Sequence, residues 1–317
     1  MYRKHTRRTA KAAFAVSLGV ALLIGITAFG GSARGGVAGA EKTVSKPKLI
    51  IGTKNFPEEF ILGQLYGQAL AAKGFKVTYK NDIGSSEVID TAITSKQINF
   101  YPEYTGVIVL DLKKAKNSPK TALATYKAAK KFEQTRGLTL LKPTPFYDTD
   151  TFTMLTKTAN QLGVKKISDM KGKAFSYAGY PECDTRITCI LGMKQIYGLT
   201  NITFVPIGNI SVYTLLDQGT ATAGDGFSTD PQQAQHKKYT ALVDNKHIFG
   251  FQNVAPVLRK SLLKGSAGTL LAKTSNAVSK KLSLKAMQAM NKAYIVNKLT
   301  AKQIAHAFLK ANGLLGK

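Results

Sequence analysis

Tryptophan is absent from this chain of 317 residues, so any aromatic site for a cation must be built from tyrosine or phenylalanine. Histidine occurs four times, as His5, His236, His247 and His306, and none stands in a nucleophile or metal motif. There is no G-x-S-x-G elbow and no phosphate loop, so the sequence points away from an enzyme and implies no cofactor and no metal. Cysteine occurs only as Cys183 and Cys189, and two cysteines without a nearby histidine cannot complete a zinc site. Acidic residues are scarce, 18 against 45 lysines and arginines, which leaves a net charge of +27. That surplus suggests an anionic neighbour such as nucleic acid, lipid headgroups or an acidic wall polymer. The lysines are spread along the chain, with no zinc-finger, helix-turn-helix or aromatic-rich RNA motif, so nucleic acid is not expected as a partner. A hydrophobic content of 44% with 20% charged residues is that of a folded globular protein.

The first forty residues read as a targeting segment. Arg3, Lys4, Arg7, Arg8 and Lys11 form a basic start, residues 12–29 are mostly apolar, and Ala38-Gly39-Ala40 offers a small-residue cleavage site. Residues 1–40 are therefore expected to be a signal peptide and 41–46 a linker; an uncleaved membrane anchor is the alternative. No cysteine lies near the cleavage site, so lipid anchoring there is not expected. The expected location is outside the cytoplasm, in the periplasm or on the extracellular face of the membrane. In an oxidising compartment, Cys183 and Cys189 are close enough in sequence to be read as a disulfide.

Beyond the linker, strand and helix patterns alternate. Residues 48–52 read as a buried strand and Pro57 as the first turn of a helix with Ile61, Leu65, Ala69 and Ala72 at helical spacing. Residues 75–79 and 98–101 read as strands, with a helix between them capped by Ser85. This βαβαβ start implies a parallel sheet. A second unit begins near residue 148, with strands at 151–156, 173–178, 203–207 and 221–227 and helices at 189–197 and 212–218. A return strand at 254–259 and helices at 276–296 and 300–312 close the chain. Two α/β units suggest two lobes with a cleft, and ligands of such sheets sit beyond the carboxyl ends of strands.

The loops at those strand ends carry recognisable segments. Residues 51–58, I-G-T-K-N-F-P-E, and 101–106, Y-P-E-Y-T-G, are followed by 167–173, I-S-D-M-K-G-K, and by 227–230, F-S-T-D. Asp244-Asn245-Lys246-His247 and Ala255-Pro256-Val257 complete the series. In this order they resemble the substrate-binding proteins of glycine betaine/carnitine/choline ABC importers. The resemblance implies an α/β, bilobal periplasmic-binding-protein fold of type II. Residues 47–147 and 253–317 would form lobe 1 and 148–252 lobe 2. It also implies a monomer that delivers a small quaternary amine or related amine to an ABC permease in the membrane.

In that family, aromatic faces hold the quaternary ammonium and basic residues hold a carboxylate. By resemblance, Lys54 and Arg186 would meet the carboxylate, and Tyr104 and Phe227 would belong to the aromatic cage. Asp148, Asp150 and Gln252 fall at further site positions, Asp150 and Gln252 where the family has aromatic residues. A carboxylate at 150 hydrogen-bonds a primary amine better than a methylated one. Two further readings stay open: the same fold binding a different amine or amino acid, and a basic protein that binds wall material or another polyanion.

Overall fold

The hydrophobic run after the linker becomes the centre of a sheet because its residues have no exposed face to share with water: Leu49 and Ile51 are fully buried and Ile50 half-buried. The computed structural model describes residues 45–208 and 210–315. The expected signal peptide, and residues 41–44 of the expected linker, lie outside the described residues.

The strands are β1 (Leu49–Gly52), β2 (Val77–Lys80), β3 (Phe100–Tyr104), β4 (Leu138–Leu140), β5 (Asp150–Leu155), β6 (Phe175–Gly179), β7 (Ile202–Pro206), β8 (Ala223–Phe227), β9 (Tyr239–Leu242) and β10 (Val254–Arg259). They form two five-stranded sheets, in the orders β2-β1-β3-β10-β4 and β7-β6-β8-β5-β9. The opening β1, β2 and β3 pair in parallel, as the βαβαβ pattern requires. The whole sheet is nevertheless mixed, because β10 runs antiparallel to β3 and β4. The second sheet is mixed in the same way, with β6 parallel to β7 and β8 and β5 antiparallel to β8 and β9.

The helices are α1 (Pro57–Ala71), α2 (Ser86–Thr94), α3 (Thr105–Val107), α4 (Ala122–Thr135), α5 (Thr156–Leu162), α6 (Ile190–Gln195), α7 (Val212–Asp217), α8 (Gly265–Lys281), α9 (Leu284–Ile295) and α10 (Ala301–Ala311). Residues of α1, α8, α9 and α10 pack on one face of the first sheet, and those of α2 and α4 on the other. The single helix expected over 276–296 is two helices. Leu282 is extended and fully buried, and the Ser283 hydroxyl accepts a hydrogen bond from the Ala286 N–H, so the chain stops and restarts there. Ser85 stands at the N-cap of α2 but makes no capping bond; its hydroxyl donates to Glu87 Oε2 at 2.7 Å instead.

The chain crosses between the sheets twice, from β4 to β5 and from β9 to β10, and the two crossings run side by side. The Asp148 N–H donates to the Gln252 carbonyl at 3.1 Å and the Thr144 N–H to that of Val254 at 2.8 Å. The Asn253 side chain adds bonds to the carbonyls of Thr144 and Phe146, both 3.0 Å. These paired crossings bring the carboxyl ends of β1, β3, β6 and β8 to face one space.

Candidate functional site

One cavity is lined by Lys54, Tyr104, Asp148, Asp150, Arg186, Phe227 and Gln252, the seven residues singled out from the sequence. Phe56, Tyr180, Glu182, Asp225 and the bridged Cys183 and Cys189 line it too. An adjoining cavity of about 570 Å³ shares Phe56, Asp148, Tyr180, Asp225 and Phe227 with it.

Four aromatic rings run across this space. Phe56 stacks on Tyr104 at 6.2 Å between centroids, and on Phe227 at 6.0 Å with an interplanar angle of 10°. Tyr180 follows, tilted, 6.4 Å from Phe227. Tyr104 ends β3 and Phe56 follows β1 in the first sheet, while Phe227 ends β8 and Tyr180 follows β6 in the second, so the stack crosses from one lobe to the other. Phe56 is its centre, yet was not among the residues expected to touch ligand. The signal was there, in the Lys54-Asn55-Phe56 turn that leads into α1.

Lys54 is 2% exposed and its ammonium is paired with Glu103, with Glu59 Oε1 at 3.5 Å. It also lies over the Tyr104 ring. Lys54 therefore lines the cavity as part of a buried ionic group, not as a free cation awaiting a carboxylate. Glu59 is pushed up to about 8 by burial, against the opposing pull of Lys54. The Tyr104 hydroxyl donates to Glu58 Oε1 at 2.9 Å, and Asn291 of α9 donates to Glu58 Oε2 at 2.8 Å. Burial raises the Glu58 carboxyl, and these hydrogen bonds oppose the shift.

Arg186 is also paired, with Glu87 at the start of α2. Its Nε donates to Glu87 Oε1 at 3.2 Å and its Nη2 to Oε2 at 2.9 Å. Burial would raise Glu87, but the Arg186 guanidinium outweighs it and holds the carboxyl at about 2. The Thr188 hydroxyl donates to Asp111 Oδ2 at 3.3 Å, where the helical path after α3 widens into a π-turn over Ile108–Leu112. Both contacts leave the short loop closed by the Cys183–Cys189 disulfide, whose Cα atoms are 5.2 Å apart. At the other rim, Gln288 and Asn291 of α9 donate to the carbonyls of Ser228 and Thr229.

Asp148 and Gln252 hold the crossings in place. Asp148 Oδ1 accepts from the Ser228 hydroxyl and the Thr229 N–H, both at 3.0 Å. Gln252 Oε1 accepts from the Val107 N–H at 3.0 Å, and its Nε2 donates to the Phe249 carbonyl at 3.1 Å. A Cβ on Gly106 would come within 2.6 Å of Gln252 Oε1, so this approach requires glycine there. Asp150 opens β5 opposite Phe227. Burial raises it to about 7; Arg186 opposes that rise and Asp111 adds to it. Asp225, on β8, is raised well above the usual carboxylate range, first by burial and then by Asp150.

Comparison with known proteins gives the family and the fold. The family model OpuAC, the substrate binding domain of ABC-type glycine betaine transport systems, matches residues 47–311. The chain is 29% identical over 281 residues to the glycine-betaine-binding protein of Pseudomonas aeruginosa, covering 84% of this chain and 88% of the relative. It is 26% identical over 283 residues to the glycine betaine-binding protein YehZ of Escherichia coli, covering 83% and 90%. A crystal structure described as a glycine betaine/carnitine/choline ABC transporter superposes with a TM-score of 0.67 at 21% identity, over 86% of this chain and all of that one. The likeness shows the fold: two α/β lobes of the periplasmic-binding-protein type.

Proposed function

We propose, for a chain that belongs to the family of substrate-binding domains of ABC-type glycine betaine transport systems, that the cavity between its lobes captures a small quaternary-ammonium solute of the glycine betaine, choline and carnitine class. The solute is presented to an ABC permease chemically unchanged. The observation that carries this reading is the aromatic stack Tyr104–Phe56–Phe227–Tyr180, drawn from both lobes and bordered by carboxylates. Aromatic faces attract a cation through their quadrupoles without requiring a hydrogen on it.

Tyr104, Phe227, Asp148, Asp150, Arg186, Gln252 and Lys54 are assigned here to the ligand site, in two kinds of role. Phe227 and Asp150 face the solute, with Phe56 added to them. Asp148, Gln252, Tyr104 and Lys54 shape the walls. Arg186 serves a carboxylated solute by exchanging Glu87 for the ligand's carboxylate. A solute touching both lobes favours the closed arrangement through contacts that an open one lacks.

The lobes are assigned as 47–147 with 253–317, and 148–252. Residues 1–40 direct export, and the protein acts as a monomer outside the cytoplasm, without a lipid anchor at the cleavage site. No described helix is long and apolar enough to cross a membrane.

A thermal-shift panel of betaines, choline, carnitine, amino acids and polyamines tests the reading. A ligand selective for the folded protein stabilises it by about 2.7 kcal/mol at one hundred times its Kd. At least one methylated amine is expected to raise the Tm by several degrees. A flat response to all of them, or recovery of an altered solute after incubation, overturns the proposal.

A further inference from the structure

The last acidic residue of the chain is Asp244. Residues 45–244 carry 25 lysines and arginines against 17 aspartates and glutamates, whereas residues 245–317 carry 13 and none. Most of the positive surplus beyond the expected signal peptide therefore falls in the segment that holds α8, α9 and α10.

The fold gathers that segment on one side. Each of the three helices packs against α1. Leu271, Val278, Met287, Met290, Ile304 and Leu309 take their buried places in the core of the first sheet. Nine lysines, from Lys264 to Lys310, are left exposed on the outside. None of the nine pairs with a carboxylate among the described residues. Elsewhere an exposed lysine can find such a partner, as Lys238 does in Asp217. Lys285 and Lys292, seven residues apart, share one stripe of α9.

Charge of one sign gathered on one face makes a field that an anionic partner relieves. The exposed aliphatic side chains decide which kind of partner. Val296 is 54% exposed and Leu299 44%. They flank Lys298 in the turn between α9 and α10, and Leu284 is exposed beside Lys285 at the start of α9. A soluble polyanion has nothing apolar to offer these side chains. The boundary between headgroups and acyl chains of a bilayer takes cationic and aliphatic side chains together.

We propose that the outer face of α9 and α10, with the turn between them, docks on a membrane rich in anionic phospholipid. Lys292, Lys298 and Lys302 meet the phosphates, and Val296 and Leu299 reach the acyl boundary. The surface acts whatever solute the cavity takes. It would hold a protein exported without a lipid anchor, as proposed above, at the bilayer that contains its permease.

Co-sedimentation of the mature protein, residues 41–317, with phosphatidylcholine vesicles tests this at physiological salt. The vesicles either lack phosphatidylglycerol or contain about one-third of it. Binding is expected only to the anionic vesicles, and it should weaken as salt is added. Replacing Lys292, Lys298 and Lys302 together by glutamine should lower the partition coefficient about a hundredfold, at about fivefold for each lysine. The same replacement of Lys165, Lys166 and Lys171, exposed on the other lobe, should change it by less than about twofold. Val296→Ser with Leu299→Ser should weaken binding to the vesicles several-fold and leave binding to soluble polyphosphate unchanged. The proposal is overturned if the protein binds neither vesicle, binds both alike, or loses as much in the second lysine triple as in the first. Vesicle binding that the serine pair leaves intact, or binding to polyphosphate alone, assigns the face to a polyanion other than lipid and overturns it too. Each of these outcomes leaves the solute-binding role standing.

Discussion

The Lys54 ammonium lies 4.1 Å from the centroid of the Tyr104 ring and 5.4 Å from that of Phe56. The protein's own cation thus sits against the aromatic stack that a ligand cation would use, and Glu103 and Glu59 hold it there. The faces left for a solute are those toward Phe227 and Tyr180.

Replacing this cation should therefore be felt first in stability. Lys54→Ala strands Glu103 in a fully buried place, which typically costs about 3–5 kcal/mol when one partner of a buried pair is removed. Urea unfolding should show the midpoint falling accordingly. A midpoint within experimental error of the parent would mean that Glu103 is not a charged partner of Lys54.

Phe56 joins the rings of the two lobes, so its loss should weaken binding of a cationic solute more than the loss of either neighbour. Phe56→Ala is expected to cost about 1–2 kcal/mol of affinity, several-fold or more in Kd by calorimetry. Unchanged affinity would remove the stack from the site.

Glu87 is held at about 2 against a usual 4.5, with burial working against the shift and Arg186 carrying it. Its contribution is present above the unfolded value and is lost as pH falls from about 4.5 toward 2. The Glu87 side chain is 39% exposed, so solvent limits that contribution to within about 1 kcal/mol. Glu87→Gln should flatten this part of the acid unfolding curve. Because the pair joins the lobes, the same variant should show a more extended particle by small-angle scattering; an identical scattering curve would mean that this pair does not hold the lobes together.

Asp150 behaves with the opposite sign. Its value is raised from 3.8 to about 7, first by burial, with Arg186 opposing and Asp111 reinforcing. The folded protein keeps this proton longer than the unfolded chain, so stability falls as pH rises from about 4 through 7 and then levels off. Asp150→Asn should remove that slope. Binding of a cation should strengthen over the same range and release a proton, visible as a dependence of the calorimetric heat on the ionisation enthalpy of the buffer. A heat independent of buffer would contradict it.

Reduction of Cys183–Cys189 opens a short loop and should cost about 2 kcal/mol in the chain-entropy account. The loop also presents Arg186 and Thr188 to the other lobe. Reduced protein should therefore lose solute affinity while keeping its far-ultraviolet circular dichroism. Equal affinity in both redox states would confine the bridge to stability.

Local pattern was enough for β1, α1, β2, α2 and β3, where the proline start of α1 and the helical spacing after it lie within a few residues of each other, but α4, β4, α5 and β9 were not read from it. The ordered segments at strand ends named seven of the residues that line one cavity and left out Phe56, Tyr180 and Asp225, which line it too. The break at Leu282 and Ser283 was not legible, because both sides of it carry helix-forming residues and only the packing of Leu282 into the core turns the chain. Tertiary structure alone decided how the charges are shared out. Lysine at 54 and arginine at 186 read as cations free for a ligand, yet Glu103 lies 49 residues from one and Glu87 lies 99 from the other. Asp225 lay unremarked within the strand read at 221–227, and only the sheet register brought it beside Asp150. Which charge meets which is set by contacts distant in sequence, and those decide which side chains of the cavity the protein has already paired.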